Sequence, residues 1–277
     1  MSCPHCTSAT TTEHSRKTQL GYRTFQCRTC RRIFNERTNT PFNYLEYPTD
    51  LVLLVVLWRV RYKLSLRDLA EMFLHRGFVF THEAVREWEA RFAPLVADKL
   101  RAKRKGQAGC SWHVDETYIK VAGVWKYLYR AIDRDGNLVD SMLSEHRDMD
   151  AAKRFFAHGA PAALDSAGQV PERVTTDGHD SYPRAIRETL GEEVTHRCNQ
   201  YLNNRIEQDH RGIKQRYYPM CGFGTVDSAA RFSRAFDEQR QYFRLRSRMC
   251  QPLPPLAEQR REDCARFQAL IVEVMAA

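Results

Sequence analysis

Three acidic residues stand where chemistry could be done: Asp115 in "SWHVDETYIKV", Asp177 ending "RVTTD", and Glu207 in "YLNNRIEQDHRGIKQRY". Held at one spot, three carboxylates repel one another unless a cation joins them. An all-oxygen set suits a hard divalent ion, Mg²⁺ or Mn²⁺. Two such ions about 4 Å apart bind the attacking and leaving oxygens of an in-line phosphoryl displacement. The third carboxylate lies in a segment that reads as a helix and also carries Arg205, Arg211, Lys214 and Arg216. Glu207, His210, Arg211 and Lys214 recur at i, i+3, i+4 and i+7, which is one helix face. A carboxylate holding metal would then sit beside positive residues that meet phosphate. Asp209 points about 200° away at 3.6 residues per turn and is expected in a salt bridge or in solvent. Glu116 points to the other face of its strand from Asp115. His179 and His210 read equally well as supports of the site or as plain polar residues, and Tyr118 and Trp125 read as packing.

A second metal signature lies near the N-terminus. Cys3-Pro-His-Cys6 and Cys27-Arg-Thr-Cys30 are two CxxC knuckles separated by 20 residues. Each tight turn aims two thiolates at one point, and four close a tetrahedral structural Zn²⁺ site of the ribbon type. So short a segment could not otherwise bury a core. His5 is a competing ligand. Arg28, Arg31 and Arg32 are candidates for phosphate contact, whereas Tyr22, Phe25 and Phe34 read as packing. Cys110, Cys198, Cys221, Cys250 and Cys264 have no ligand spacing.

The elements that must position these groups follow from periodicity. Residues 38–48 hold Pro41 and Pro48 and read as a linker. "LVLLVVLW" at 51–58 is apolar enough for a buried helix and too short to span a bilayer. "SLRDLAEMFLHRG" is a second helix, with Ser65 as N-cap, Asp68 at N3 and Gly77 as stop. A third opens at Thr81, with Ala84, Val85, Trp88 and Phe92 on its packed face. Helix, turn, helix after a support helix is a helix-turn-helix pattern, although any three-helix bundle shares it. His82, Glu83, Arg86 and Arg91 are the candidates for its exposed reading face, with His82, Arg86 and Arg91 expected to contact DNA. Residues 99–107 read as a basic linker.

From 110 the period changes to strands: 111–121, a second joined through Ala122-Gly123, and a third after Asp135-Gly136. A helix at 150–158, a loop at 159–171, the strand 173–177, a helix at 181–191 capped by Ser181, a strand at 193–197 and two further helices complete the order. With the first strand central and beside the fourth, Asp115 and Asp177 become neighbours, and a following helix can supply Glu207.

Of 277 residues, 43 are Lys or Arg and 34 are Asp or Glu, for a net charge of +9. Residues 1–105 hold 19 basic and 10 acidic residues, so 19 − 10 = +9, and the remainder, with 24 of each, is neutral. A basic front on a neutral body suggests a polyanion-binding module joined to something else. No apolar leader follows Met1, which points to the cytoplasm, where thiols stay reduced.

"HVDETYIKV…WKYLYRAIDRDG", "TTDG" and "YLNNRIEQDHRGIK" resemble the motifs of the bacterial insertion-sequence-six family of DDE transposases over about 110–248. The resemblance implies an RNase H-like α/β catalytic domain with a mixed five-stranded sheet at 106–248. Ahead of it come a zinc ribbon at 1–43 and a helical helix-turn-helix domain at 44–105, and a partly helical tail follows at 249–277. It implies Asp115, Asp177 and Glu207 as a triad for two Mg²⁺ or Mn²⁺ ions, with Cys3, Cys6, Cys27 and Cys30 on zinc. The expected function is binding of terminal inverted repeats in double-stranded DNA, cleavage to free 3′-OH ends and joining to target DNA by a replicative route. A homodimer or higher oligomer would work at the nucleoid, with no membrane. A catalytically inactive DNA-binding regulator and a metal-dependent nuclease without strand transfer remain as alternatives.

Overall fold

The computed structural model describes residues 1–104, 108–157, 170–199, 203–244 and 254–276. The chain divides into two compact units, Met1–Val55 with Cys264–Ala277, and Val56–Asp263. In the first, β1 (Thr11–Lys17), β2 (Arg23–Cys27) and β3 (Ile33–Asn35) form an antiparallel meander. Its core is Cys3, Phe25, Cys27 and Phe34, with the two rings stacked at 5.6 Å. That is too little apolar surface to hold a fold unaided. The two knuckles are built alike. Thr7 and Arg31, each following the second cysteine, have φ of 59°, and each donates its N–H back to the first cysteine's carbonyl, at 2.9 and 3.0 Å.

Helix α1 (Thr49–Arg61) buries Val52, Leu53, Val55, Val56, Leu57 and Val60, as its apolar run requires. In the second unit, α2 (Leu66–Leu74) opens with the expected capping box between Ser65 and Asp68. Helix α3 (His82–Arg104) buries Val85, Trp88 and Phe92. It also runs past the expected linker start at 99 and stays helical to Arg104. The physical reason is pairing: Arg101 meets Asp140 at 2.8 Å, Arg104 meets Glu238 at 2.6 Å, and Leu100 is buried.

The main sheet has the order β6-β5-β4-β7-β8. Central β4 (Ser111–Val121) pairs antiparallel with β5 (Val124–Asp133), which pairs antiparallel with β6 (Leu138–Ser144). On the other side β7 (Arg173–Thr176) and β8 (Thr195–Cys198) run parallel to β4. Three antiparallel strands followed by two parallel ones across the first is the RNase H-like arrangement. Side chains alternate across the pleat. Trp112, Val114, Tyr129 and Ala131 join Ala151, Ala152, Phe155 and Phe156 of α4 (described over 149–157) and Tyr182, Ala185 and Ile186 of α5 (Ser181–Leu190) in one apolar core. The opposite face, which carries Asp115 and Arg130, packs against α6 (Asn204–Tyr217) and α7 (Val226–Phe243). Helix α8 (Leu256–Met275) lies in the expected tail.

Two local expectations change. Ser181 does not cap α5. Its hydroxyl lies 2.8 Å from His179 Nδ1, and the cap position is Asp180, without a side-chain cap bond. Most of the expected 159–171 loop lies outside the described residues, as do residues 245–248 of the expected last catalytic-domain helix; α7 ends at Phe243. Among the described residues, no helix is long and apolar enough to cross a membrane.

On the α6/α7 face, Arg130 is 1% exposed and makes ion pairs at 2.7 Å to both Asp237 and Asp209. Burial alone would lower its pKa, but the two carboxylates outweigh that and hold it above the usual value. Asp237→Ala is expected to cost about 3–5 kcal/mol in urea unfolding, the range for breaking a buried pair from one side. Asp98→Ala, which breaks an exposed pair with Arg234, should cost under about 1 kcal/mol.

Candidate catalytic site

The parallel register Ser111↔Arg173 and His113↔Thr175, continued by two residues, sets Asp177 beside Asp115. Asp177 follows the last residue of β7 and accepts from the His179 N–H at 3.2 Å. The chain then turns sharply at Gly178, with φ of 97°. A Cβ there would lie 2.5 Å from Cys198 Sγ, so both conformation and space ask for glycine.

Glu207 lies in the first turn of α6. Two contacts fix that helix on β4. Asn203, just before it, donates from Nδ2 to the carbonyl of Val114 at 3.1 Å. One turn on from Glu207, the buried His210 brings Nδ1 to 3.7 Å from Asp115. Asp209 points elsewhere, to Arg130 and to Arg240 at 2.6 Å, which is the salt-bridge role expected for it.

Asp115 is 9% exposed. Burial, and then the negative charges of Asp177 and Glu207, push its pKa up to about 7 against the opposing pull of Arg147 and Lys214. His210 is pulled down to about 3 by burial and by Arg130 and Lys214, so its ring is neutral. A buried carboxyl beside two others has the chemistry of a cation site, and its oxygen-only donors fit a hard divalent ion. The three carboxylates are not drawn fully together. Among the described residues, only the four cysteines bring all their candidate ligand atoms within 4.8 Å of one another.

Two residues matter more than the sequence suggested. Glu116, on the opposite face of β4, is 7% exposed. It accepts from the Tyr182 hydroxyl and pairs with Arg147. Arg147 reaches on to Asp177 at 3.4 Å. No periodicity could single out Arg147, because it lies beyond the end of β6 and meets its partners only through the fold.

The expected DNA contacts are scattered. Arg211 is exposed and Lys214 half-buried. Arg28 donates to Thr12 at 2.9 Å, Arg32 lies 3.4 Å from His5, and Arg31 is exposed. Arg86 pairs with Glu83 at 2.7 Å and His82 lies 3.2 Å from the same carboxylate. The Arg91 guanidinium lies 5.2 Å from the Phe92 ring centroid. His82 and Arg86 line a cleft of about 1030 Å³ with Arg67 and Arg231. Tyr118 and Trp125, expected as packing, pack edge-to-face on each other at 6.4 Å while 44% and 52% exposed.

In the ribbon, Cys3 and Cys30 sulfurs lie 3.6 Å apart and those of Cys6 and Cys27 3.5 Å apart. Tetrahedral thiolates at about 2.3 Å from a metal stand about 3.8 Å apart, so these four fit one ion. The backbone N–H of Cys30 leads in pulling the Cys27 thiol down to about 6, while, against the Ser8 N–H, burial and the neighbouring thiols push Cys6 up to about 12.

A DDE domain profile matches residues 109–245. The chain is similar to the transposase for insertion sequence-like element IS431mec of Staphylococcus aureus, with 36% identity over 179 residues, 63% of this chain and 77% of the relative. It is equally similar, at 36% over the same shares, to the Staphylococcus aureus transposase for insertion sequence element IS257 in transposon Tn4003. Among solved structures, the HTLV-2 integrase catalytic core domain in complex with magnesium is similar over 48% of this chain and 86% of that one, at 15% identity and a TM-score of 0.34.

The raised Asp115 pKa gives stability a definite pH dependence. In metal-free protein the folded state holds the Asp115 proton up to about 7, whereas the unfolded chain releases it near 3.8. The folded state therefore binds more protons between those values, and stability falls as pH rises from 4 to 7, by up to about 4 kcal/mol from this group. Asp115→Asn should flatten that slope in urea titrations with EDTA. An unchanged slope would show that Asp115 ionises normally.

Proposed function

The chain belongs to the DDE transposases of the insertion-sequence-six family, and on that premise we propose that Asp115, Asp177 and Glu207 are its catalytic metal-binding carboxylates. The proposed substrate is double-stranded DNA, first the terminal inverted repeats of its own insertion sequence and then a target. The β4–β7 register is the observation that carries this reading. Carried on by two residues, that register points Asp115 and Asp177 to the face that α6 covers with Glu207, which supports the reading.

Mg²⁺ or Mn²⁺, two ions when bound, would supply activation of water and of the freed 3′-OH, and charge stabilisation of the in-line displacement. The protein's own residues do the positioning. Arg147, braced by Glu116, holds Asp177 by an ion pair. Asn203 and the neutral His210 hold α6 against Asp115. Lys214 and Arg211 sit one to two turns along α6 from Glu207, where DNA phosphate would arrive. The product of the first step is a 3′-OH end and that of the second a joined strand, with no covalent protein intermediate. Two ends must be handled together, so the working form is a homodimer or larger, acting at the nucleoid. The ribbon's four thiols hold structural Zn²⁺, and Arg28, Arg31 and Arg32 with His82, Arg86 and Arg91 contribute to end binding. The three-carboxylate set favours a transposase over an inactive regulator, and family membership favours it over a nuclease that does not join.

Asp115→Asn and Glu207→Gln should each lower end cleavage and strand transfer by about 10³-fold or more, with end binding intact in gel-shift. A Glu207→Gln protein that cleaves at the wild-type rate would remove Glu207 from the site. Cys27→Ser should release one zinc per chain, measured with a metallochromic dye, and weaken end binding. The urea transition of the catalytic sheet should stay in place.

A further inference from the structure

Beyond the carboxylates, the same sheet face carries a second concentration of like charge. Arg134, Arg173, Arg197 and Arg205, with His113 and Thr175, line a concavity of about 370 Å³. No carboxylate lines it among the described residues. Arg205 donates to the Arg134 carbonyl, a contact that neutralises no charge. The buried Nε of Arg173 has no hydrogen-bond partner. Four guanidiniums around one hollow repel one another unless an anion joins them, and their planar forks suit phosphate oxygens.

The position follows from strand parity. His113 lies two residues before Asp115 on β4, Thr175 two before Asp177 on β7, and Arg173 four before it, all on the face that α6 covers. Arg197 of β8 stands beside Thr175 in register. At about 3.3 Å per residue, these ranks lie roughly 7 and 13 Å from the carboxylates along the strands. At 3.4 Å of helix axis per nucleotide of one strand, a duplex lying along β4 and β7 would place these ranks about two to four nucleotides from the scissile phosphate.

We propose that the pocket formed by Arg134, Arg173, Arg197 and Arg205 binds backbone phosphates of the DNA strand being cut, about two to four nucleotides from the cut. This rests on the reading of Asp115, Asp177 and Glu207 as the cutting centre. The pocket acts as a second grip that sets which phosphodiester reaches the carboxylates.

The test uses the full chain and a duplex taken from the DNA flanking its reading frame. Single neutral methylphosphonates are placed at each of the six phosphates on either side of the cut, and binding is measured in EDTA. With wild-type protein, one or two positions in the two-to-four window should weaken binding about tenfold. In Arg134→Gln/Arg197→Gln, whose altered residues are exposed, the unmodified duplex should bind more weakly. Its log–log salt slope should fall by about 1.8, and the methylphosphonate penalty should vanish. Thermal melts check that the variant is folded, and Arg205→Gln serves as a second variant. A penalty of equal size in wild type and variants, or none in the window, overturns the proposal. So does inorganic phosphate displacing the duplex from wild type, but not from the variant, beyond a chloride control of matched ionic strength, because the pocket would then serve a free anion. Binding without metal does not depend on chemistry. A duplex that is never cleaved but shows the window would refute the catalytic reading and leave this one standing.

Discussion

Everything on the catalytic side of the sheet depends on one buried guanidinium. Arg130 stands on β5 directly across from Asp115 and holds Asp209 of α6 and Asp237 of α7. Burying a charge is costly, and a buried pair is weak evidence of net stability. What this one does is geometric. With Asp209 tied to Arg130 and Arg240, α6 cannot rotate on the sheet without leaving a buried charge unpaired. That fixed phase turns His210 toward Asp115 and carries Glu207 one turn earlier on the helix.

The two faces of β4 divide the labour. One supplies ordinary apolar packing against α4 and α5, and it is there that Glu116 finds Tyr182. The other is electrostatic, with carboxylates near one end and arginines near the other. Each cluster is unfavourable alone and is relieved by charge of the opposite sign. Bound metal at one end and phosphate at the other would each supply that charge.

Much of this was legible in the residues. Alternation in "SWHVDETYIKV" separates Asp115 from Glu116 correctly, and the 3.6-residue period sends Asp209 away from the site. The cysteine spacing identifies a ribbon whose thiols do converge. What stayed hidden depends on tertiary partners. Arg147 gains meaning only from Glu116 on β4 and Asp177 just past β7. The four-arginine hollow draws on β7, β8, the end of β5 and the start of α6, so no window of sequence contains it. Ser181 reads as a cap by residue type, but His179 takes its hydroxyl first. The basic run 99–104 reads as a linker because its partners, Asp140 and Glu238, lie far along the chain.

That last misreading has a mechanical meaning. Helix α3 begins at the residues expected to read DNA and ends where Arg104 is clamped by Glu238 and by the carbonyls of Leu138 and Val139, at 3.1 and 2.9 Å. Pro94 lies inside it without ending it. Its 23 residues span about 34 Å at 1.5 Å per residue, which is close to one full turn of B-form DNA. A flexible tether would let the reading head drift along the groove while the sheet searched for a phosphate. A continuous rod would act as a ruler: it would add a fixed spacing between that head and the sheet to the grip proposed for the arginine hollow.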